Sequence, residues 1–247
     1  KDYNNATNYF LKAVTALKND NNTANRQQVY PDAEIRLADC YFMQKQYKQA
    51  AQYYTDVINV NAPGADYALY QKAIIDGLGG NYNDKIAGMN ALVSRFPNSA
   101  FADDALMQTG ITLMSRDKDD QAIETFKSLL SKYPKSDLVS EAYLKLGLIY
   151  FNKDNYDESL SWYQKVVQYY PSTPASNEAM LAIKEIYIAK GDPNGYITYA
   201  NKYPGAKVTA SEQDSLMYLS AEKQFINGNI DNALKGEENP IENRDLL

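Results

Sequence analysis

The chain has 247 residues, 45% of them hydrophobic, and 25 Lys+Arg against 31 Asp+Glu give a net charge of −6. With no basic stripe anywhere, general nucleic-acid binding is excluded, because it needs clustered cations to release counterions. There is no His, and Cys40 is the lone cysteine. That removes Ser-His and Cys-His nucleophile pairs, His-ligated zinc, multi-cysteine metal centres and intrachain disulfides. No catalytic residue, cofactor or metal site is therefore expected, and the chain is read as not an enzyme.

The 22 Tyr residues suit half-buried positions, with the ring packed and the hydroxyl wet. No stretch reaches the roughly 18 apolar residues of a membrane-spanning helix, so no transmembrane segment is expected. The first residue is Lys1, which leaves a removed signal peptide or lipid anchor open.

In chain order, residues 1–20 hold Tyr3, Ala6, Phe10 and Ala13 in helical phase. They read as one helix of a hairpin whose first half is missing. A fragment of a longer array, a further N-terminal element and a homodimer all remain open. The Asn-rich stretch NDNNTANRQQ predicts a loop.

From residue 31 onward the chain repeats itself. Ala68, Ala105, Ala142 and Ala179 step by 37, and so do the turn phrases that begin at Asn81, Lys118, Asn155 and Asp192. Pro97, Pro134, Pro171 and Pro204 step by 37, 37 and 33. Each unit reads as two helices: 31–63, 65–97, 99–134, 136–171, 173–204 and 209–235, with a polar tail at 236–247.

The unit at 136–171 shows the logic. Leu138, Val139, Ala142, Tyr143, Leu146, Ile149 and Tyr150 recur at helical spacing, NKDNY breaks the run, and Tyr156, Leu160, Tyr163, Val166, Val167 and Tyr170 make a second amphipathic helix. Pro171 cannot continue it. The Ser or Thr that follows each junction, Ser136 or Thr173, is then a natural N-cap, with Pro174 tolerated in the first turn. Residues 192–203 leave room only for a short second helix.

These positions resemble the tetratricopeptide repeat. Its large, Leu, Gly, Tyr, small, aromatic and Pro positions are matched by Tyr143, Leu146, Gly147, Tyr150, Ser159, Tyr163 and Pro171. In the preceding unit they are matched by Leu106, Thr109, Gly110, Leu113, Ala122, Phe126 and Pro134. In the unit at 31–63 the match is Leu37, Ala38, Tyr41, Ala50 and Tyr54, with Pro63 one residue late. Gly110 and Gly147 cost about 1 kcal/mol each in a helix interior, so close approach of the paired helix is expected there. The resemblance implies an all-α fold, an α-solenoid of stacked antiparallel helix pairs wound as a right-handed superhelix.

The usual unit of this family has about 34 residues, so the step of 37 predicts a first helix longer by one turn. That length, with Tyr-Pro-x-Ser junctions, resembles bacterial cell-envelope members of the outer-membrane assembly lipoprotein and TolA-binding periplasmic coordinator type. A periplasmic or outer-membrane-associated interaction scaffold is the corresponding expectation. The alternatives are a cytosolic peptide-binding chaperone adaptor and a regulatory repeat domain of a larger protein, including one joined to an enzyme.

In this family the first helices line a concave face that takes a protein or peptide. Mapped onto the sequence, the partner-binding candidates are Tyr70, Ile74, Met107, Ile111, Met114, Leu144, Leu148, Phe151, Leu181 and Glu185. The same positions also pack neighbouring first helices, and the accessibility of Ile74, Met107, Ile111 and Leu148 separates the two roles. RDKDD reads as a solvated turn, GLGG as a helix stop, and Cys40 as a packed core residue.

Overall fold

A computed structural model describes residues 2–18, 20–203, 206–230 and 233. The chain divides into two compact units, Lys1–Leu138 and Val139–Leu247, each taken by itself below. Among the described residues there is no β-strand, and the all-α, stacked-hairpin class is the observed one.

In the first unit, α1 (Tyr3–Lys18) is followed by α2 (Tyr30–Met43), α3 (Tyr47–Asn59), α4 (Ala65–Leu78), α5 (Tyr82–Arg95), α6 (Ala102–Met114) and α7 (Asp119–Lys132). Each helix packs on the next in sequence. The second unit holds α8 (Val139–Asn152), α9 (Tyr156–Tyr169), α10 (Pro174–Lys190), α11 (Pro193–Ala200) and α12 (Ala210–Ile226). There α10 packs on α8, α9, α11 and α12.

One device makes the reversals. A left-handed residue ends the first helix of each pair: Lys45, Gly80, Asp117, Asp154, Gly191 and Gly228. The next amide then reaches back to the last turn, as in Gln46 N to Tyr41 O at 2.8 Å, Lys118 N to Leu113 O at 3.0 Å and Asp192 N to Tyr187 O at 2.9 Å. This bond satisfies a carbonyl that the helix end leaves orphaned. GLGG thus stops α4, and RDKDD is the turn that sets Asp119 and Asp120 in the first turn of α7, where the helix dipole favours carboxylates.

Within a hairpin, the small position of the first helix receives an aromatic ring from the second. A β-carbon on Gly110 would lie 2.5 Å from Phe126 Cε1, and one on Gly147 would lie 2.7 Å from Tyr163 Cε1. Phe126 is 0% exposed and Tyr163 5%. The same pair is Ala38 and Tyr54 in the first repeat, both fully buried. Ser159, also buried, donates from Oγ to the Gly147 carbonyl at 2.7 Å, so its polar atom is matched.

Three expectations are corrected. First, α4, α6 and α8 have 14, 13 and 14 residues, no longer than α5, α7 and α9 with 14 each. The extra residues form turns instead: Ser99 N bonds Phe96 O at 3.0 Å and Ala102 N bonds Ser99 O at 3.1 Å. The added turn is carried by α10 and α12, with 17 residues each, and Thr173 Oγ caps α10 by accepting from Ser176 N.

Second, Ser136 is not an N-cap. Its Oγ accepts from Leu138 N at 3.1 Å and donates to Asp103 Oδ2 at 2.6 Å, as Ser99 Oγ donates to Asp66 Oδ2 at 2.6 Å. The junction serine ties its turn to the preceding first helix, because a hydroxyl can donate and accept at once. Third, the Asn-rich stretch is largely helical, a π-turn over Asn25–Val29 that runs into α2. Asn22 Oδ1 accepts from Ala24 N and Asn25 N, and Asp20 Oδ1 from Asn22 N. These side chains start a helix by satisfying its first amides.

The short α11 has 8 residues, as the sequence predicts. Thr209 and Glu212 form a reciprocal capping box at the start of α12, which holds the Glu212 carboxyl below its ordinary range. Pro204 and the tail at 236–247 lie outside the described residues.

Candidate functional site

In the first unit the candidates sit on α4 and α6. Tyr70 is half-buried, its ring 5.6 Å from that of Phe101. Burial, with Asp104 and Asp103 nearby, pushes its hydroxyl pKa up. Ile74, Ile111 and Met114 are half-buried as well, while Met107 is 3% exposed. Beside them Lys85 Nζ, from α5, donates to Gln108 Oε1 at 3.0 Å, and burial lowers the pKa of this ammonium. Lys72 pairs with Asp76 at 2.9 Å.

In the second unit Leu144 is buried among Leu160, Tyr163, Val166 and Ile183. Phe151 packs on Tyr156 with ring centroids 5.8 Å apart. Leu148 is 38% exposed and Leu181 66% exposed, and Glu185 is exposed. Leu181 also lines a cleft of about 420 Å³ with Met180, Ser176, Asn177 and Tyr196.

The ten candidates thus divide by position. Met107 and Leu144 belong to the packed interior and offer a partner no surface. Tyr70, Ile74, Ile111, Met114 and Phe151 are half-buried. Leu148, Leu181 and Glu185 stand open.

Two features lie outside the ten partner-binding candidates. Asp39 Oδ1 accepts from Tyr54 Oη at 2.5 Å and Tyr67 Oη at 2.9 Å. This is an internal brace, which together with burial lifts the Tyr67 hydroxyl to about 12. Glu34 is 4% exposed and lines a cleft of about 560 Å³ with Tyr30, Tyr41, Tyr53, Asp56 and Lys18. The signal for it lay in the repeat register: position 34 corresponds to Leu69, Leu106 and Tyr143 in later units.

Among the described residues, no group of three or more His, Cys, Asp or Glu could hold a metal ion, and no helix is long and apolar enough to cross a membrane. Cys40 is 7% exposed, and burial pushes its thiol pKa up. That is the opposite of an activated nucleophile.

Stacked helical hairpins with a regular small-aromatic contact, carrying apolar side chains on their first helices, define a helical-repeat protein. Profiles of the tetratricopeptide repeat match residues 32–61, 67–99 and 104–136, and a second profile of that repeat matches 140–173. Together these cover just over half of the chain, and the chain belongs to the tetratricopeptide repeat family, whose members generally mediate protein–protein interactions.

Solved structures share the fold. YrrB, described as a tetratricopeptide repeat protein with an unusual peptide-binding site, aligns with TM-score 0.54 at 14% identity, over 94% of this chain and 100% of that one. MamA aligns with TM-score 0.54 at 18% identity, over 81% of this chain and 94% of that one. A tetratricopeptide repeat protein from Parabacteroides merdae aligns with TM-score 0.50 at 16% identity, over 95% of this chain and 88% of that one. No curated protein matches the sequence.

Proposed function

We propose that this chain is a non-catalytic scaffold in a bacterial cell-envelope complex, periplasmic or outer-membrane-associated, that takes a peptide or partner protein on its first-helix faces. The observation that carries the binding reading is the exposure of Leu148 and Leu181 on α8 and α10. Large apolar side chains standing open on neighbouring repeat helices are what a partner would cover. That YrrB, which shares the fold, is described as having a peptide-binding site supports a polypeptide as the ligand. The envelope setting rests on the unit length and the Tyr-Pro junctions.

The test is affinity capture from envelope fractions with the natural chain and with Leu148→Asp/Leu181→Asp, read by mass spectrometry. A partner retained by the first and lost by the second is expected, with circular dichroism unchanged because both leucines lie at the surface. Equal capture by both overturns the role of these faces. Fractionation of cells making the full gene product is expected to place it in the envelope, and recovery in the cytosol overturns that setting.

A further inference from the structure

The cleft between α1, α2 and α3 carries a charge that the repeat register does not call for. Glu34 occupies the position held by Leu69, Leu106 and Tyr143 in other units. Burying a carboxylate is costly unless it is matched, yet Glu34 is 4% exposed. The Tyr30 hydroxyl bonds it, Asp56 repels it from α3, and Lys18 of α1 attracts it, while burial raises its pKa above the ordinary carboxylate range. Tyr41 and Tyr53 stand over the same cleft with rings nearly parallel, 8° apart in plane, and centroids 5.8 Å apart. Asp56, on the same helix as Tyr53, lines the cleft with Glu34.

The unit at 136–171 builds the corresponding corner with its own cation in place. There the register positions of Glu34, Tyr53 and Asp56 are Tyr143, Trp162 and Lys165. Tyr143 stacks on Trp162 at 5.8 Å, and Lys165 Nζ lies 3.6 Å from the Trp162 ring centroid and 5.9 Å from that of Tyr143. An ammonium over an aromatic face is attracted by the ring quadrupole. In the first repeat Tyr53 keeps one ring of that wall and Tyr41, from the register position of Tyr150, supplies the other. Asp56 stands in place of the lysine, Glu34 stands in place of Tyr143, and the corner is an open cleft.

We infer that this cleft receives a lysine or arginine side chain presented by a partner polypeptide. Two carboxylates supply charge-assisted hydrogen bonds, the tyrosines supply the aromatic wall, and the net charge of −6 favours approach of a basic segment. Lys18, the cation among the residues lining the cleft, stands exposed at its edge, where an incoming side chain displaces it. The inference rests on the polypeptide-binding reading but uses none of the first-helix candidates, so Leu148→Asp/Leu181→Asp leaves the cleft intact and the two ideas fail separately.

The test titrates the whole chain with the capped peptide Gly-Gly-Lys-Gly-Gly and follows tyrosine ring signals by NMR. Saturable shifts at Tyr41 and Tyr53 are expected, and they vanish when norleucine replaces the peptide lysine. Glu34→Leu, which installs the residue that two other units carry, weakens binding by roughly ten-fold or more, the loss expected of one hydrogen bond to a charged group. Should that variant fail to fold, Glu34→Gln carries the same test, since it keeps the shape and removes the charge. Equal shifts with the norleucine peptide, or unchanged affinity in the Glu34 variant, overturn the proposal. So does binding of n-butylammonium as tight as that of the peptide, which assigns the cleft to free amines.

Discussion

The repeat at 31–63 and the repeat at 136–171 build one corner of the hairpin with opposite charge. The later repeat sets Lys165 on Tyr143 and Trp162, and the corner is satisfied from within. The earlier one sets Glu34 and Asp56 beside Tyr41 and Tyr53 and leaves a cleft. A second contrast runs beside it: the small position is Gly147 in the later repeat and Ala38 in the earlier one, facing Tyr163 and Tyr54. The helix pairing is the same in both. A repeat array can therefore hold its backbone constant and vary chemistry unit by unit, because the residues that fix the hairpin and those that line its corner occupy different register positions.

The small position offers the sharpest way to break that comparison. Gly147→Ala places a β-carbon within 2.7 to 2.9 Å of three Tyr163 ring atoms. Overpacking of this kind is expected to cost about 2–3 kcal/mol in urea unfolding, more than the gain in helix propensity returns. The earlier repeat already accommodates the methyl of Ala38 against Tyr54, so a cost at Gly147 would show that the two hairpins differ in spacing, and no cost would show that they do not.

Glu34→Leu comes next. The raised pKa means that the folded state holds the proton more tightly than the unfolded chain. Stability from this group is therefore present at low pH and lost as pH rises through the folded value. Removing the carboxylate is expected to stabilise the chain by about 1–2 kcal/mol at neutral pH, with the advantage shrinking on acidification. Thermal unfolding at several pH values checks this, and an advantage that grows on acidification would contradict it. The smallest effect is that of Lys165→Ala, about 0.5–1 kcal/mol for a partly exposed cation over a ring. A larger loss would mean that the lysine stem packs the corner as well.

Most of the helix pairing was legible because its causes are local. The step of 37, the proline junctions and the Asp and Gly reversals are short-range signals, and Gly110 and Gly147 announced a close helix approach by their cost. What could not be read depends on three-dimensional partners. The junction serines look like caps until Asp66 and Asp103 are seen accepting from them. Asn22 and Asp20 looked like loop residues because side chains that favour loops also start helices. Of the partner-binding candidates, Met107 and Leu144 share a register row with exposed Leu181, and helical spacing alone does not say which member of a row a neighbour will cover. Glu34 could have been found by asking which unit breaks the pattern rather than which units keep it.

The reversals carry one last consequence. Each is closed by bonds that span at most six residues, and half of them use Gly at the left-handed position. A hairpin can thus nucleate from its own stretch of chain before any neighbour has docked, and such local topology favours rapid folding. It also makes the hairpin a modular currency of heredity: duplication or loss of a whole period leaves every remaining reversal intact, so the array can lengthen or shorten without relearning how to turn.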